Sequence, residues 1–203
     1  MALDPVRFAR LRPVLWHLTA ASNLPAIRRD GALLSPARLA PGSDAVTRGR
    51  VTLTPVESAG RGCVILRDQQ PLRESAFALA DGYRFEDLLS SMNDRVFFWQ
   101  GDPDGPIAYG RRHFAKYDGT DIAVLRVPTA PLLSRASVEL SRVNSGAAGR
   151  YPGQSRRGPD TFTPAAAWAH TPGAVVEVTV RDRVVLPTGT QVSHGTDGPF
   201  TPL

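Results

Sequence analysis

The chain has 203 residues, of which 42% are hydrophobic, enough for one sizeable core. Its formal net charge at pH 7 is +5, from 24 lysines and arginines against 19 acidic residues, and Lys116 is the one lysine. A single cysteine excludes an internal disulfide, and the absence of a run of about 18 apolar residues argues against a membrane span or a membrane partner, so we expect one cytoplasmic domain over residues 1–203.

Hydrophobic periodicity and turn residues predict an α+β fold with a mixed or antiparallel sheet. The expected elements are a helix at 7–12, a strand at 15–19, a helix at 23–30, a loop over 35–62 with a short strand near 51–53, a strand at 63–66, helices at 72–80 and 84–92, a strand at 96–99, a helix at 106–117, and strands at 122–127, 138–140, 175–180 and 184–186. Helices separate the early strands, whereas the late strands cluster, and this order favours helices on one side of the sheet. The tail after residue 187 is weakly patterned.

The segment 15–31 carries the first pattern with chemical content. Two apolar residues of its strand alternate with His17 and Thr19, so the imidazole and the hydroxyl project on the same side. The following helix is expected to use Ser22 as its cap and to stop at Gly31. Two donor–acceptor side chains beside a helix start suit a ligand contact, although a lone histidine is also typical of a hydrogen-bonded structural residue.

Several chemistries lack their motifs here. The histidines at 17, 113, 170 and 194 do not pair with one another or with Cys63 at metal-ligand spacing, so no metal is expected. The sequence has no GxxxxGK[ST] loop, no GxGxxG after a strand and no GxSxG elbow. Cys63 opens an apolar strand and is expected to be a buried, inert thiol rather than a nucleophile paired with His17.

Glu177 is the most notable carboxylate because it interrupts the valine-rich strand 175–180. Its neighbours Val176 and Val178 should face the core, while its own face is half polar. Two interpretations stay open: a solvent-facing strand residue paired with an arginine, or a carboxylate in a cleft.

The segment 144–162 is rich in glycine and arginine. Its glycines permit close backbone approach, and Arg150, Arg156 and Arg157 are cations beside them. It is either a substrate-recognition loop ahead of the Glu177 strand or an ordinary surface loop.

The order of these segments resembles the DarT-like branch of the ADP-ribosyltransferases. The shared order is an LxHxT strand, an NLxxIxxxG helix, an aromatic VFFW strand, an RGxDTF loop and a late VxEVxV strand. The chain resembles still more closely an uncharacterised bacterial family with RDQxPL, RVFFW and RGxDTF motifs, which correspond here to 65–72, 93–99 and 144–162. The resemblance covers roughly residues 13–186.

This resemblance implies an ADP-ribosyltransferase-like fold, in which two small sheets pack against each other and hold NAD in the cleft between them. His17 would then grip the nicotinamide ribose, with Thr19 beside it. Asn23 and Leu24 would begin the helix next to the cofactor, and Glu177 would be the catalytic glutamate.

The resemblance also implies a catalytic arginine between the first helix and the VFFW strand. The candidates are Arg48, Arg50, Arg61 and Arg67. We favour Arg67 because it ends a predicted strand and adjoins an acidic and an amide residue.

Further roles follow from the same resemblance. Phe97, Trp99 or Tyr109 could stack on nicotinamide, although Phe97 is also typical of a core residue. Asn144, Arg157 and Thr161 of the glycine-rich loop could contact the substrate.

The implied function is an NAD-dependent ADP-ribosyltransferase that modifies DNA or RNA, with NAD as co-substrate, no metal, and an antitoxin-like or hydrolase partner. The arginine richness favours a nucleic-acid acceptor, but a protein or small molecule stays open. The alternatives are an RNA 2′-phosphotransferase-like enzyme and a non-catalytic nucleotide- or nucleic-acid-binding module.

Overall fold

The computed structural model describes residues 2–69, 72–107, 109–147 and 156–203, and these residues form an α+β fold. The α-helices of this part of the chain are α1 (Pro5–Leu11), α2 (Leu24–Asp30), α3 (Pro36–Leu39), α4 (Asp44–Thr47), α5 (Phe85–Asn93), α6 (Tyr109–Ala115) and α7 (Thr129–Arg135). The strands are β1 (Val14–Ala20), β2 (Ala32–Leu34), β3 (Thr54–Ser58), β4 (Gly62–Leu66), β5 (Arg95–Asp102), β6 (Gly105–Pro106), β7 (Ile122–Pro128), β8 (Val138–Ser141), β9 (Thr163–Pro164), β10 (Glu177–Arg181), β11 (Arg183–Val185), β12 (Gln191–His194) and β13 (Thr201–Pro202).

Nine of these strands form one antiparallel sheet. Eight of them follow the order β13-β12-β7-β1-β5-β10-β8-β9, and β6 pairs with β5 beside that path. The strands β2 and β11 form a separate pair, and so do β3 and β4. The strands of the two expected small sheets are therefore hydrogen-bonded into one.

This large sheet forks between β1 and β5. The two strands pair over three residues, ending at Trp16 opposite Trp99. Beyond that point β1 pairs only with β7, and β5 pairs only with β10. The fork leaves an opening between two halves of the sheet.

Hydrophobic side chains cover both faces of the sheet. One cluster includes Phe8, Leu15, Phe98 and Val178, and the other centres on Trp16 with its neighbours from α6 and β7. Because both faces of the sheet are buried, the strand sequences are largely apolar runs and do not alternate cleanly between apolar and polar residues.

Local sequence signals explain the helices that were expected. Asp4 accepts a hydrogen bond from the Arg7 amide at 3.0 Å and starts α1. The helix α2 ends at Gly31, whose φ of 55° is left-handed. The predicted cap Ser22 is wrong, because α2 begins two residues later and the adjacent Asn23 side chain is used in a tertiary contact.

The predicted loop over 35–62 is wrong in part, because it contains α3, α4 and β3. Ser35 accepts a hydrogen bond from the Arg38 amide at 3.3 Å, and Pro36 occupies the first turn of α3. The signal for this short helix was present, but the many prolines and glycines concealed it.

The helix predicted at 72–80 is also wrong. This segment has only a 3₁₀ turn at Glu74–Ala76, after which the chain extends and bonds to Arg157 through Ala78 and Ala80. Tertiary pairing overrides the local helical pattern there.

Strand pairing overturns one further expectation, the burial of Cys63. Cys63 is exposed, because the β3–β4 pair turns alternate residues outward to solvent. The tail after 187 is ordered as β12 and β13, which extend the large sheet beyond β7. No helix among the described residues is long and apolar enough to cross a membrane.

Candidate functional site

A cavity of about 390 Å³ opens at the fork of the sheet. Side chains from β1, the end of β4, β5, β10 and the 144–147 turn line it, together with residues of α5 and α6. Its volume falls in the range of small-molecule sites.

His17 lies at the point where β1 leaves β5. Its Nδ1 lies 2.9 Å from the Phe97 carbonyl oxygen, which can only accept, so Nδ1 carries the proton and donates. Burial and, to a smaller extent, the charge of Arg67 lower the pKa of His17 to about 4, although the hydrogen bond to Phe97 opposes the shift. The ring is therefore neutral at pH 7, and its Nε2 is an acceptor at the cavity.

Glu177 begins β10 opposite Trp99 and is only 3% exposed. Its Oε2 accepts a hydrogen bond from the Ser145 amide at 3.1 Å. Burial raises the pKa of Glu177 to about 7, while Ser145 and Arg157 oppose the rise. Glu177 thus lines the same cavity as His17, in a cleft rather than on a solvent-facing strand.

Arg157 lies behind the 144–147 turn instead of lining the cavity. Its Nη2 donates to the carbonyls of Asn144 at 3.0 Å and Ala147 at 3.1 Å, and its Nε donates to that of Ser145 at 3.4 Å. Arg157 is 2% exposed and therefore braces the turn that contacts Glu177.

Of the other loop residues predicted to contact the substrate, one lines the cavity and one does not. Asn144 lines the cavity, whereas Thr161 does not. The Thr161 hydroxyl accepts a hydrogen bond from the Gly158 amide at 2.8 Å and closes a local turn. Arg150 lies outside the described residues.

Arg67 is a half-buried cation at the opposite side of the cavity. Its Nη1 donates to His113 Nε2 at 2.7 Å, and its guanidinium lies 5.4 Å from the centroid of the Tyr117 ring. Among the described residues Arg67 forms no ion pair within 4.0 Å. The neighbouring Asp68 instead accepts a hydrogen bond from the Tyr117 hydroxyl at 2.9 Å.

The acidic neighbour of Arg67 in the cavity lining is Asp68, whose carboxylate also accepts a hydrogen bond from the Tyr117 hydroxyl. Burial lowers the pKa of Arg67, although Tyr117 and Asp68 oppose the change. Burial, together with the charges of Arg67 and Lys116, lowers the pKa of His113 to about 3. A neutral histidine as acceptor leaves the guanidinium charge available to an anion.

The geometry separates the four candidate arginines. Arg48 is exposed and lies 3.7 Å from Asp44, and Arg61 pairs with Asp30. Neither lines the cavity, whereas Arg50 and Arg67 do.

Arg50 is fixed by neutral partners. Its Nε donates to the Arg67 carbonyl at 2.8 Å, and its Nη1 donates to Asn93 Oδ1 at 2.9 Å. Burial lowers the pKa of Arg50 to about 10, with a further contribution from the charge of Arg67. Arg50 therefore joins the end of β4 to the end of α5.

Asn23 and Thr19 line the cavity, but their polar atoms already have partners. Asn23 Oδ1 accepts from the Ile65 amide at 2.9 Å, and its Nδ2 donates to the Ile65 carbonyl at 2.9 Å and to the Thr19 hydroxyl at 3.0 Å. This clamp holds β4, and with it Arg67, against β1. Leu24 is 2% exposed and belongs to the core rather than to the cavity.

The two aromatic candidates have different positions. Trp99 lines the cavity, and its ring centroid lies 5.3 Å from that of His113. Gly110 permits α6 to approach, because a Cβ there would lie 2.9 Å from Trp99 Cβ. Tyr109 is 45% exposed and lies outside the cavity lining, with Arg112 stacked 5.0 Å from its ring centroid.

Sequence reasoning missed several cavity residues as site candidates, namely Gln69, Asn93, Arg95, His113 and Lys116. Gln69, Asn93 and Arg95 lie in the RDQ and RVFFW motifs, so those motifs were a usable signal. Arg95 is ion-paired with Glu139 at 2.7 Å. Among the described residues no group of three or more His, Cys, Asp or Glu side chains is placed to hold a metal.

Comparison with known families gives a match. Residues 13–188 match DUF7002, a family of unknown function. The chain belongs to this family. The matched segment runs from the start of β1 past β11, and so includes both sides of the fork and every cavity residue. No curated protein matches the chain.

Proposed function

We propose that this protein is an NAD-dependent ADP-ribosyltransferase that transfers ADP-ribose to a nucleic acid. The observation that carries the proposal is the meeting of His17, Arg67 and Glu177, from three separate segments, around one cavity. A neutral hydrogen-bond acceptor, a cation and a carboxylate are the groups that this reaction needs.

The carboxylate suits the bond that is broken. Cleavage between the ribose C1′ and the nicotinamide nitrogen releases neutral nicotinamide and leaves positive charge on the ribose ring, as in glycoside hydrolysis. Ionised Glu177 would stabilise that charge. The acceptor nucleophile then bonds to C1′ and releases its proton, which Glu177 is placed to take.

The cations suit the rest of a dinucleotide. Guanidinium groups match phosphate oxygens, and Arg67 is a cavity cation without a carboxylate partner among the described residues. Lys116 adds a further cation at the cavity. We assign Arg67 to the diphosphate and Trp99 to stacking on a ring of the ligand.

The fork in the sheet supports an ADP-ribosyltransferase-like fold as the finer description of the α+β architecture. In that fold NAD lies in the cleft between two small sheets, and here the cavity lies where β1 and β5 diverge within one continuous sheet.

Nicotinamide release from NAD tests the proposal. Wild-type protein should release nicotinamide and modify a DNA or RNA oligonucleotide. Glu177→Gln should lower the rate by about 100-fold or more while NAD binding persists, because only the charge of the side chain changes. Glu57→Gln is the matched control, since Glu57 is an exposed strand residue away from the cavity.

An RNA 2′-phosphotransferase-like activity is the second candidate. It is favoured by the cations Arg50, Arg67 and Lys116 at the cavity, with His113 beside Arg67, because transfer of a phosphate needs several cations. Full NAD consumption in Glu177→Gln, lost in Arg67→Ala, would favour this candidate over ADP-ribosyl transfer. NAD binding without turnover on any acceptor would instead identify a non-catalytic binding module.

A further inference from the structure

Helix α6 carries an exposed polar stripe beside the cavity. Tyr109, Arg112 and Lys116 are three and four residues apart, a spacing that places side chains on one flank of a helical turn. Lys116 follows the last residue of α6, and its amide bonds to the His113 carbonyl at 3.3 Å, which continues the turn. The opposite flank is buried through Gly110 and Phe114. We call Tyr109, Arg112 and Lys116 the α6 stripe.

The stripe is positively charged without local compensation. Residues 109–117 contain no acidic side chain. Arg112 and Lys116 are exposed, and neither forms an ion pair within 4.0 Å in the described part of the chain. The next acidic residue, Asp118, accepts a hydrogen bond from the Thr196 hydroxyl at 2.9 Å.

The stripe is continuous with the cavity. Lys116 is exposed and also lines the cavity. His113, on the same helix, accepts a hydrogen bond from Arg67 inside it. A polyanion lying along the stripe would therefore reach the cavity opening.

We propose that the α6 stripe docks single-stranded nucleic acid. Backbone phosphates contact Arg112 and Lys116, and one base stacks on Tyr109, whose ring is 45% exposed. The Arg112 guanidinium carbon lies 5.0 Å from the centroid of the Tyr109 ring, so a cation and an aromatic surface lie side by side. The docking of the strand does not depend on the proposed function. The further statement that the docked strand is the acceptor of ADP-ribose rests on the proposed function.

Anisotropy of a labelled single-stranded oligonucleotide, as DNA and as RNA, tests the docking. At about 0.1 M salt Arg112→Gln and Tyr109→Ala should each weaken binding by about fivefold. Arg112→Gln should also reduce the slope of log affinity against log salt by about 0.7, because one phosphate contact is lost. Tyr109→Ala should leave that slope unchanged, because stacking releases no counterions.

Arg10→Gln is the matched control. Arg10 is an exposed, unpaired cation on α1, which is a seven-residue helix like α6 and contributes nothing to the cavity lining. It should bind the oligonucleotide like wild type.

Three results would overturn the docking proposal. The first is no oligonucleotide binding by the wild type, and the second is an equal loss of oligonucleotide affinity in Arg10→Gln and Arg112→Gln. The third result is that polyglutamate, a polyanion without bases, binds through the α6 stripe and oligonucleotides do not. NAD turnover without an acceptor should be unchanged in Tyr109→Ala and Arg112→Gln. Its absence in the wild type would defeat the proposed enzyme and leave the docking result standing.

Discussion

The carboxylate side and the cation side of the cavity hold opposite charges in comparable ways. On the carboxylate side Glu177 meets a backbone amide, with Arg157 behind the turn. On the cation side Arg67 meets a neutral histidine, and Arg50 meets carbonyl and amide oxygens. Burial disfavours the charged form on each side, since it raises the pKa of Glu177 and lowers that of both arginines.

The opposite charges of the two sides indicate what kind of ligand the cavity suits. A buried charge is costly when it is not paired in the folded protein. A ligand that develops positive charge near Glu177 and carries negative charge near Arg67 would relieve the cost on both sides. A dinucleotide with a reacting ribose and a diphosphate has that distribution.

The largest expected effect is on stability at the carboxylate side. The pKa of Glu177 rises from an ordinary 4.5 to about 7 on folding. The folded protein therefore loses stability as pH rises from about 4.5, where the unfolded chain ionises, to about 7, where folded Glu177 ionises. The loss is absent below about pH 4.5 and constant above about pH 7. Glu177→Gln should remove this pH-dependent part, which is about 3 kcal/mol at pH 8.5.

Urea unfolding at low and high pH measures that effect. Glu57→Gln should show the pH dependence of wild type, because Glu57 is exposed. A Glu177→Gln protein with the same pH dependence as wild type would show that the carboxylate is not held in an unfavourable charged state.

The next largest effect is expected on the cation side. Arg67→Ala should weaken NAD binding by about 30-fold, or about 2 kcal/mol, because a charge-assisted contact to phosphate is lost. Arg48→Ala is the control, because Arg48 is exposed and outside the cavity lining. Titration calorimetry measures both, and equal affinities in the two variants would exclude Arg67 from the ligand contact.

The smallest effect concerns Arg157, which braces the 144–147 turn on the carboxylate side. Wild-type kcat/KM should rise with pH through a midpoint of about 7, where Glu177 ionises, while His17 with a pKa of about 4 stays neutral. Arg157→Gln should move this midpoint to higher pH, because a cation that lowers the pKa of Glu177 is removed.

Arg156→Gln is the neighbouring control for the brace. Arg156 is exposed and pairs with Asp81, so its loss should leave the midpoint unchanged. A shift to lower pH in Arg157→Gln would contradict the assigned role of Arg157.

The sequence predicted much of the sheet but little of how its strands are joined. The strands containing His17 and Glu177, the aromatic strand between them, and the stop at Gly31 were all expected. The fork was not expected. It forms because β1 and β5 pair over only three pairs of residues, and the local sequence pattern does not show where the pairing of two strands ends.

Site residues that lie in a sequence motif could be predicted. Site residues that only a tertiary contact brings to the cavity were harder to predict. His113 lies on an ordinary amphipathic helix, and only its bond to Arg67 marks it as part of the cavity. Arg157 was expected at the substrate, but its guanidinium is turned toward three backbone carbonyls. Tyr109 was expected at the cofactor, but the closer approach of Gly110 to Trp99 leaves it on the exposed flank of α6.

The decisive experiment is a crystal structure of Glu177→Gln with NAD bound. We expect the nicotinamide ribose to lie between residue 177 and His17 at the fork, with the diphosphate in contact with Arg67. NAD bound outside the fork, or a ribose that contacts neither His17 nor residue 177, would contradict it.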